Sequence, residues 1–569
     1  MNLLMARIIT WFRTGERSSS AFYFVLVLAI MLPLLRPGYL LALDLSWTPN
    51  IPLQASTTDY YLIYVVLHFL NYFLPSQLIE KVFLFGTLWL AAGGIHRLVR
   101  RFSTSETWAC YFAGLLYLFS PFAYSRFLAG QFLILLGFAL MPWFVASLWN
   151  FLESPNSRSS FRLLLWTLAV SIVDLHSIFL MALLVVVSLV AFSVAESVDW
   201  RRLLKWGLSA GLAWTVLSSY WLLPLLFGSS TTATLIRNFN PQFVRAFQTV
   251  GDPTYGVLFN AAAMYGFWVD PLGRYRLPKS VVGIWPALAI LFIVLALIGL
   301  YAARRRVYAW ILFATGLVAF VLGVGIAYPP FAGIYYFLFN HVPLFKGDRE
   351  SEKFIGLLVM TYAFLGAIGA SWLANVVRRN LTKSGELIGE ILLPFLIVIT
   401  PLIYSPLVFW GFAGQMKPIN YPADWYAVNR QLDSDKSNFQ VLFLPWHMYL
   451  GFRFTNGVLF NPAASFFDKP IIQGNNIQIA NIYTGENTPT SLYVENHILA
   501  VGSSVTNIGV NLDHLNVKYI ILAKNSDVGQ YQWLNNQRDV TRIDDTKNLI
   551  VYRNDAWKAT PSTSIPTKP

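Results

Sequence analysis

His96–Arg162 reads HRLVRRFSTSETWACYFAGLLYLFSPFAYSRFLAGQFLILLGFALMPWFVASLWNFLESPNSRSSFR. Basic clusters close it at both ends, His96–Arg101 (HRLVRR) and Ser157–Arg162 (SRSSFR). Between them lie two apolar runs, Trp108–Phe122 and Phe132–Trp149, parted by the turn Tyr124-Ser125-Arg126. Apolar runs approaching about 20 residues cross a bilayer as helices, and short loops rich in Lys and Arg stay on the cytoplasmic side. The stretch therefore predicts one crossing outward and one back, with Arg126 at the outer turn.

The same spacing recurs along the chain. Three further clusters, Arg201–Lys205 (RRLLK), Arg304–Arg306 (RRR) and Arg378–Lys383 (RRNLTK), separate other apolar runs. With all five clusters inside, Ala21–Leu35 crosses outward and Leu78–Ile95 returns. Tyr60–Leu74, interrupted by His68 and Asn71, reads as a helix in the outer interface. Leu163–Val173 and Ile178–Val194 form a hairpin whose tip is Asp174-Leu175-His176. Leu204–Phe227, Ile284–Tyr301, Tyr308–Ile326, Phe354–Val377 and Leu387–Trp410 complete about 11 spans. Arg7, Arg13 and Arg17 ahead of Ala21–Leu35 imitate a signal peptide; the many later spans predict a retained first helix with its N-terminus inside.

Composition agrees. The mean hydropathy is +0.53 and only 12% of residues are charged, against about 25% in soluble domains. A net charge of +13 raises nucleic acid as a partner, but its distribution excludes one: Gly411–Pro569 holds 13 Lys/Arg against 12 Asp/Glu, so the excess lies in the membrane portion. The single cysteine, Cys110, allows no intramolecular disulfide.

The texture changes after Trp410. Residues 1–410 read as an all-α polytopic membrane domain and 411–569 as an extracytoplasmic mixed α/β domain. In the latter Gln440–Leu444, Val517–Ala523 and Leu549–Arg553 are predicted strands and Asp424–Leu432 a helix. The Ser/Thr/Pro tail from Ala559 is predicted to be disordered. Asn380-Leu-Thr382, a glycosylation pattern, falls in an inner loop and should be silent.

No Walker loop, Rossmann glycine pattern, CxxC, HExxH or GxSxG elbow occurs. The candidate chemistry is a set of polar groups in the outer loops, where ionisable side chains near a membrane line cavities or find partners. Asp44 follows the first span; it suits a general base taking a proton from a hydroxyl, or an interfacial cap. Asp174 and His176 suit a phosphate or acceptor contact with His176 oriented by Asp174, or a plain helix turn. Arg126, with Gln131 beside it, suits a phosphate clamp or a snorkelling arginine. Lys346–Lys353 (KGDRESEK) gathers Asp348, Arg349, Glu350, Glu352 and Lys353, either as a phosphate or metal site or as a self-neutralising cluster. Asp252 and Asp270 are further acid/base candidates.

Several stretches give these residues a context. SPFAYSRFLAGQFLILLGFALMPW (Ser120–Trp143), SSYWLLPLL (Ser218–Leu226), FQTVGDPTYGVLFNAAAMYGFW (Phe247–Trp268), FKGDRESEKF (Phe345–Phe354), DHLNVKYIILAK (Asp513–Lys524) and LIVYRND (Leu549–Asp555) resemble, in order and spacing, the GT-C integral-membrane glycosyltransferases. The likeness is to the membrane core of the cell-envelope arabinofuranosyltransferases and to the large bacterial membrane proteins that glycosylate teichoic acids. It implies a sugar donor on polyprenyl phosphate, an extracytoplasmic glycan, lipid or protein acceptor, transfer with inversion, and an acidic residue of the first outer loop as base, the position of Asp44. The chemistry then needs cationic stabilisation of the departing phosphate, for which Arg126, His176 and Arg349 are the candidates, with Gln131, Asp174, Asp252, Glu350 and Lys353 as further donor-phosphate or acceptor contacts. Many such proteins carry two neighbouring acids in the first outer loop. Here Asp44 is followed by no acid until Asp59, which leaves a divalent-cation cofactor open. A transporter of lipid-linked glycans or lipids would place charges deep within several spans, and these charges sit at loop edges; a non-catalytic envelope-assembly partner would use the outer domain alone.

Overall fold

The computed structural model describes residues 15–103, 105–195, 198–228, 231–380, 388–479, 482–484 and 488–558. Arg7, Arg13, the last two residues of the glycosylation pattern and the tail from Ala559 lie outside them. The described chain forms two compact units: Met1–Pro33, Gln54–Ile63 and Val82–Gln415 make the first, and Leu34–Leu53, Tyr64–Lys81 and Met416–Pro569 the second.

The first unit is helical. Its helices, some shared with the second unit's segments, are α1 (Gly15–Met31), α2 (Tyr61–Asn71), α3 (Ser76–Phe102), α4 (Thr107–Leu118), α5 (Pro121–Leu128), α6 (Phe132–Glu153), α7 (Ser157–Ser171), α8 (Leu175–Ala195), α9 (Trp200–Leu217), α10 (Ser219–Phe227), α11 (Trp285–Ala302), α12 (Val307–Val324), α13 (Ile355–Asn380) and α14 (Leu393–Tyr404). Among the described residues seven helices are long and apolar enough to cross a membrane, and up to nine if two bent pairs each make one span. The protein is a multi-pass membrane protein. Length and composition alone do not reach the expected count of about 11. At 1.5 Å per residue, α4 and α7 reach only about 18 and 23 Å, short of the roughly 30 Å of hydrocarbon. Two other predicted spans are broken: α9 and α10 meet at 77°, and the helix ending at Tyr404 meets Pro406–Ala413 at 62°. Pro406 accounts for the second break, because the residue before a proline is pushed out of helical geometry. The basic run Ser157–Arg162 is itself helical, the start of α7. Asn156 caps it, accepting from the Ser159 amide at 3.0 Å while the Ser159 hydroxyl accepts from the Asn156 amide at 3.1 Å. As expected of an interfacial helix, α2 is 11 residues long, too short to span.

The centre of this unit is α13, buried from its start through Ser371. It crosses α11 with backbones almost touching: a Cβ on Gly299 would fall 1.9 Å from the Leu365 carbonyl oxygen, and one on Gly369 1.9 Å from that of Leu295. Small residues at such crossings let membrane helices approach and pack by dispersion. Gly299→Leu is expected to force the pair apart and lower the thermal midpoint of the purified protein by several degrees, whereas Gly93→Leu, with nothing within 4 Å of its Cβ position, should leave it unchanged.

The second unit centres on a five-stranded sheet. Its strands and their satellites are β1 (Tyr39–Leu40), β2 (Pro418–Ile419), β3 (Gln440–Leu444), β4 (Tyr449–Gly451), β5 (Val458–Phe460), β6 (Ile471–Ile472), β7 (Ile477–Ile479), β8 (Ile482–Thr484), β9 (Val517–Ala523), β10 (Val540–Asp545) and β11 (Leu549–Asn554), with helix α15 (Ala423–Ser434). The sheet order is β10-β11-β9-β3-β6. β3 runs parallel to β6 and β9, and the other pairs are antiparallel. Leu442, Leu444, Ile520, Leu522 and Tyr552 bury one face against Ile508, Leu512 and Leu534. The sequence places the domain boundary at residue 410. In the structure two early segments belong with the C-terminal part, because β1 pairs with β2, Tyr39 opposite Ile419, and the Glu80 carboxylate accepts the Leu40 amide at 3.1 Å.

Candidate functional site

KGDRESEK does not continue the helix that follows it. Leu344 sits at φ +65°, and the chain makes two 3-10 turns, Phe345–Asp348 and Ser351–Phe354, before α13 starts. This irregular backbone turns the charges inward: Asp348, Glu350, Glu352 and Lys353 are all buried. Buried charges persist only when paired, and their partners come from other elements.

Arg126, on α5, is the first of these. Its helix starts at Ser120, whose hydroxyl accepts from the Ala123 amide at 3.3 Å, followed by Pro121. Its guanidinium is wholly buried. Nη1 donates to Glu350 Oε2 at 3.1 Å and to the Gln131 amide oxygen, and Nη2 donates to Glu352. Phe267 stacks on it, with Cζ 4.0 Å from the ring centroid. Lys353 Nζ lies 3.7 Å from Glu350 Oε2. Burial alone would push the Glu350 carboxyl up, but the charges of Lys353, Arg126 and Arg349 hold it well below the usual carboxylate range. Nη1 of Arg126 is thus engaged by Gln131 and Glu350 and Nη2 by Glu352, while Nε is buried without a hydrogen-bond partner. Asp270 joins the same layer, accepting from Tyr275 OH at 3.0 Å and Ser125 Oγ at 3.1 Å. Burial raises its carboxyl to about 6 against the pull of those two hydrogen bonds.

His176 is held differently from the expectation. Its Nδ1 lies 3.0 Å from Asp348 Oδ1, so Asp348, and not Asp174, orients the ring. The Asp348 carbonyl accepts from Tyr335 OH, and its Oδ2 is buried without a hydrogen-bond partner. With 18% of its side chain exposed, His176 keeps Nε2 without a protein partner among the described residues. It lines a small cavity of about 20 Å³ together with Asp174, Lys353, Tyr117, Phe122, Phe138 and Met141.

Asp59 was not singled out from sequence beyond being the next acid after Asp44. It is 7% exposed, and its carbonyl accepts from Tyr220 OH at 2.9 Å. Burial first, then the charge of Asp174, raises its carboxyl to about 7, the range suited to proton transfer near neutral pH. Its ordinary value is near 4, so between about pH 4 and 7 the folded protein holds a proton that the unfolded chain has lost, and stability falls as pH rises through that window. The thermal midpoint should drop between pH 5 and pH 8, and Asp59→Asn should shrink that drop.

The remaining candidates are engaged locally. Asp252 Oδ2 pairs with Lys279 Nζ at 2.8 Å, and its Oδ1 accepts the Thr254 and Tyr255 amides. Despite burial, the bond from Lys279 keeps it below the usual range. It is a turn-former braced by a lysine. The Arg349 guanidinium lies 4.4 and 4.8 Å from the centroids of Phe239 and Phe247. Asp44 belongs to the second unit. Its turn closes through paired Ala42 and Leu45 backbone bonds, Phe460 of β5 donates to the Leu43 carbonyl at 2.7 Å, and Tyr449 OH on β4 donates to Asp44 Oδ1 at 2.7 Å. Among the described residues no three His, Cys, Asp or Glu side chains converge to hold a metal ion.

No protein-family model matches the chain, and no curated protein matches it. Solved structures do. The arabinofuranosyltransferase AftD from Mycobacteria superposes with a TM-score of 0.61 at 12% identity, covering 95% of this chain and 40% of its own. A variant of AftD gives 0.60 at 12% identity, with 96% and 42% covered. The chain thus spans about two fifths of that enzyme's length and shares its fold over that part.

Proposed function

We propose that this chain, built on the GT-C fold, is a membrane glycosyltransferase that moves a sugar from a polyprenyl-phosphate-linked donor to an extracytoplasmic glycan, lipid or protein acceptor, with inversion. The observation that carries this reading is the cleft beside His176. It is tight, about 20 Å³ in volume, and its lining combines lysine, histidine and aspartate with Tyr117, Phe122, Phe138 and Met141. A phosphate esterified to an apolar chain presents that same combination.

The chemistry needs little more. The acceptor oxygen forms a bond to the anomeric carbon as the bond from that carbon to the phosphate oxygen breaks, and the phosphate leaves with the electron pair. The Lys353 ammonium, and His176 Nε2 when the ring held by Asp348 carries its second proton, are the donors that would stabilise the departing phosphate. A carboxylate takes the acceptor proton. By the resemblance this is Asp44; Asp59, raised to about 7, is the alternative that the structure favours enough to test. The basic clusters predict a cytoplasmic N-terminus and an outer C-terminal unit in the cell membrane.

The test is transfer of radiolabelled sugar from a panel of polyprenyl-phosphate donors into membranes containing the protein. Transfer from one donor, lost in His176→Phe, supports the reading. Failure of every donor, with a correctly inserted protein, would bring lipid-linked-glycan transport or a non-catalytic assembly role forward.

A further inference from the structure

The basic cluster Arg304–Arg306 does more than mark a loop. It borders a cavity of about 440 Å³ lined by Ser105, Arg304, Arg305, Arg306, Ser371, Trp372 and Asn375. We propose that this cavity binds the phosphate-bearing headgroup of an anionic phospholipid.

The lining is matched to an anion. The Ser105 hydroxyl accepts from Ser103 Oγ at 2.8 Å, the Ser371 hydroxyl accepts from the Glu106 amide at 3.1 Å, and Asn375 Oδ1 accepts from Arg378 Nη2 at 2.6 Å. Each of the three neutral side chains has an acceptor occupied and keeps hydrogen to donate. Arg304 is tethered through Nη1 to the Tyr301 carbonyl at 2.9 Å and lies over that ring at 4.4 Å. Arg305 and Arg306 are exposed, and among the described residues neither has a carboxylate partner. The nearby acids are committed elsewhere: Glu106 and Glu390 lie 3.9 and 3.7 Å from Arg378 Nη1.

Depth selects a lipid over a soluble anion. Ser351–Arg379 is one continuous apolar span, and from Lys353 at one end to Ser371 and Asn375 at the other it rises about 27–33 Å. That is roughly the hydrocarbon thickness, which places the arginines at the headgroup level of the leaflet opposite the His176 cleft. Tyr301 and Trp372, with ring centroids 6.2 Å apart, form the aromatic belt expected there. Ile290, Val294, Leu297 and Tyr301 are exposed at helical spacing on α11, an apolar track for an acyl chain ending at Arg304. Basic pockets between spanning helices at this depth suit anionic headgroups.

The experiment uses the full chain purified in nonionic detergent and titrated with phosphatidylglycerol, phosphatidylcholine and inorganic phosphate, read by native mass spectrometry. Phosphatidylglycerol should bind preferentially, and Arg305→Ala with Arg306→Ala should weaken it roughly 10- to 30-fold without affecting phosphatidylcholine. Arg305→Lys with Arg306→Lys keeps the loop's charge, and hence membrane orientation; it should lose part of the affinity because the guanidinium forks are gone. Ser105→Ala, which leaves every charge in place, should weaken phosphatidylglycerol alone. Equal binding of both lipids, or variants that bind phosphatidylglycerol as the wild type does, would overturn the proposal. Displacement of phosphatidylglycerol by millimolar inorganic phosphate would make this a soluble-phosphate site and overturn it as well.

Discussion

Asp44→Asn should abolish sugar transfer, by about 10²–10⁴-fold, while leaving the protein folded and inserted. The substitution isolates proton transfer. Asp44 Oδ1 accepts from Tyr449 OH at 2.7 Å, and the Oδ1 of an asparagine can accept the same bond, so the turn at Ala42–Leu45 and its seat on the β4–β5 hairpin are kept. The amide has no basic oxygen with which to take a proton from the acceptor hydroxyl. Measured as initial rates at saturating donor, the loss should appear in kcat with KM for donor little changed, the signature of an interaction made only as the bond forms. Asp59→Asn is the paired measurement. Transfer by Asp44→Asn at the wild-type rate, together with loss in Asp59→Asn, would move the base to Asp59. Loss in both would leave Asp44 as base and give Asp59 a role in setting the charge state of the Asp174–His176 cleft.

Why the first of these residues could be read from sequence and the second could not is a matter of what each signal rests on. Asp44 follows a span directly, so its place in an outer loop comes from parity alone. The hairpin tip Asp174-Leu175-His176 was likewise visible, since α7 and α8 are apolar runs separated by two ionisable groups. Strands β3, β9 and β11 appeared as short β-branched runs. What was invisible is long-range pairing. Nothing local says that His176 will meet Asp348 in place of its neighbour Asp174, because the choice is made by the 3-10 turn that carries Asp348 inward. Asp59 lies in a polar loop of unremarkable sequence, and only burial beside Asp174 lifts its carboxyl. Hydropathy, similarly, registers an apolar run but not a 77° bend within it, nor whether a helix stops after 12 residues, as α4 does. Composition likewise carries no trace of the pairing of β1 with β2, which come from distant parts of the chain.

Arg126→Met should be the most destabilising single change in the helical unit, costing about 3–5 kcal/mol. The methionine fills the space but removes the cation that Glu352 pairs with and one of the two that flank Glu350. Both carboxylates would remain buried, with Lys353 at 3.7 Å the one ion pair left to Glu350. An uncompensated buried charge is the expensive state; the neutral layer as a whole need not be. Arg126→Met combined with Glu350→Gln and Glu352→Gln is therefore expected to recover most of the loss in thermal midpoint, since neutral amides beside a methionine have no charge left to solvate. This series also separates two roles that the sequence leaves open. If Arg126 stabilises the departing phosphate, the triple variant will be folded but inactive, because nothing replaces the guanidinium. The geometry predicts the other outcome. The guanidinium is fully enclosed by Glu350, Glu352, Gln131 and the face of Phe267, so it positions the turn that carries Asp348 and Lys353. The triple variant should keep measurable transfer, with phosphate stabilisation still supplied by Lys353 and His176.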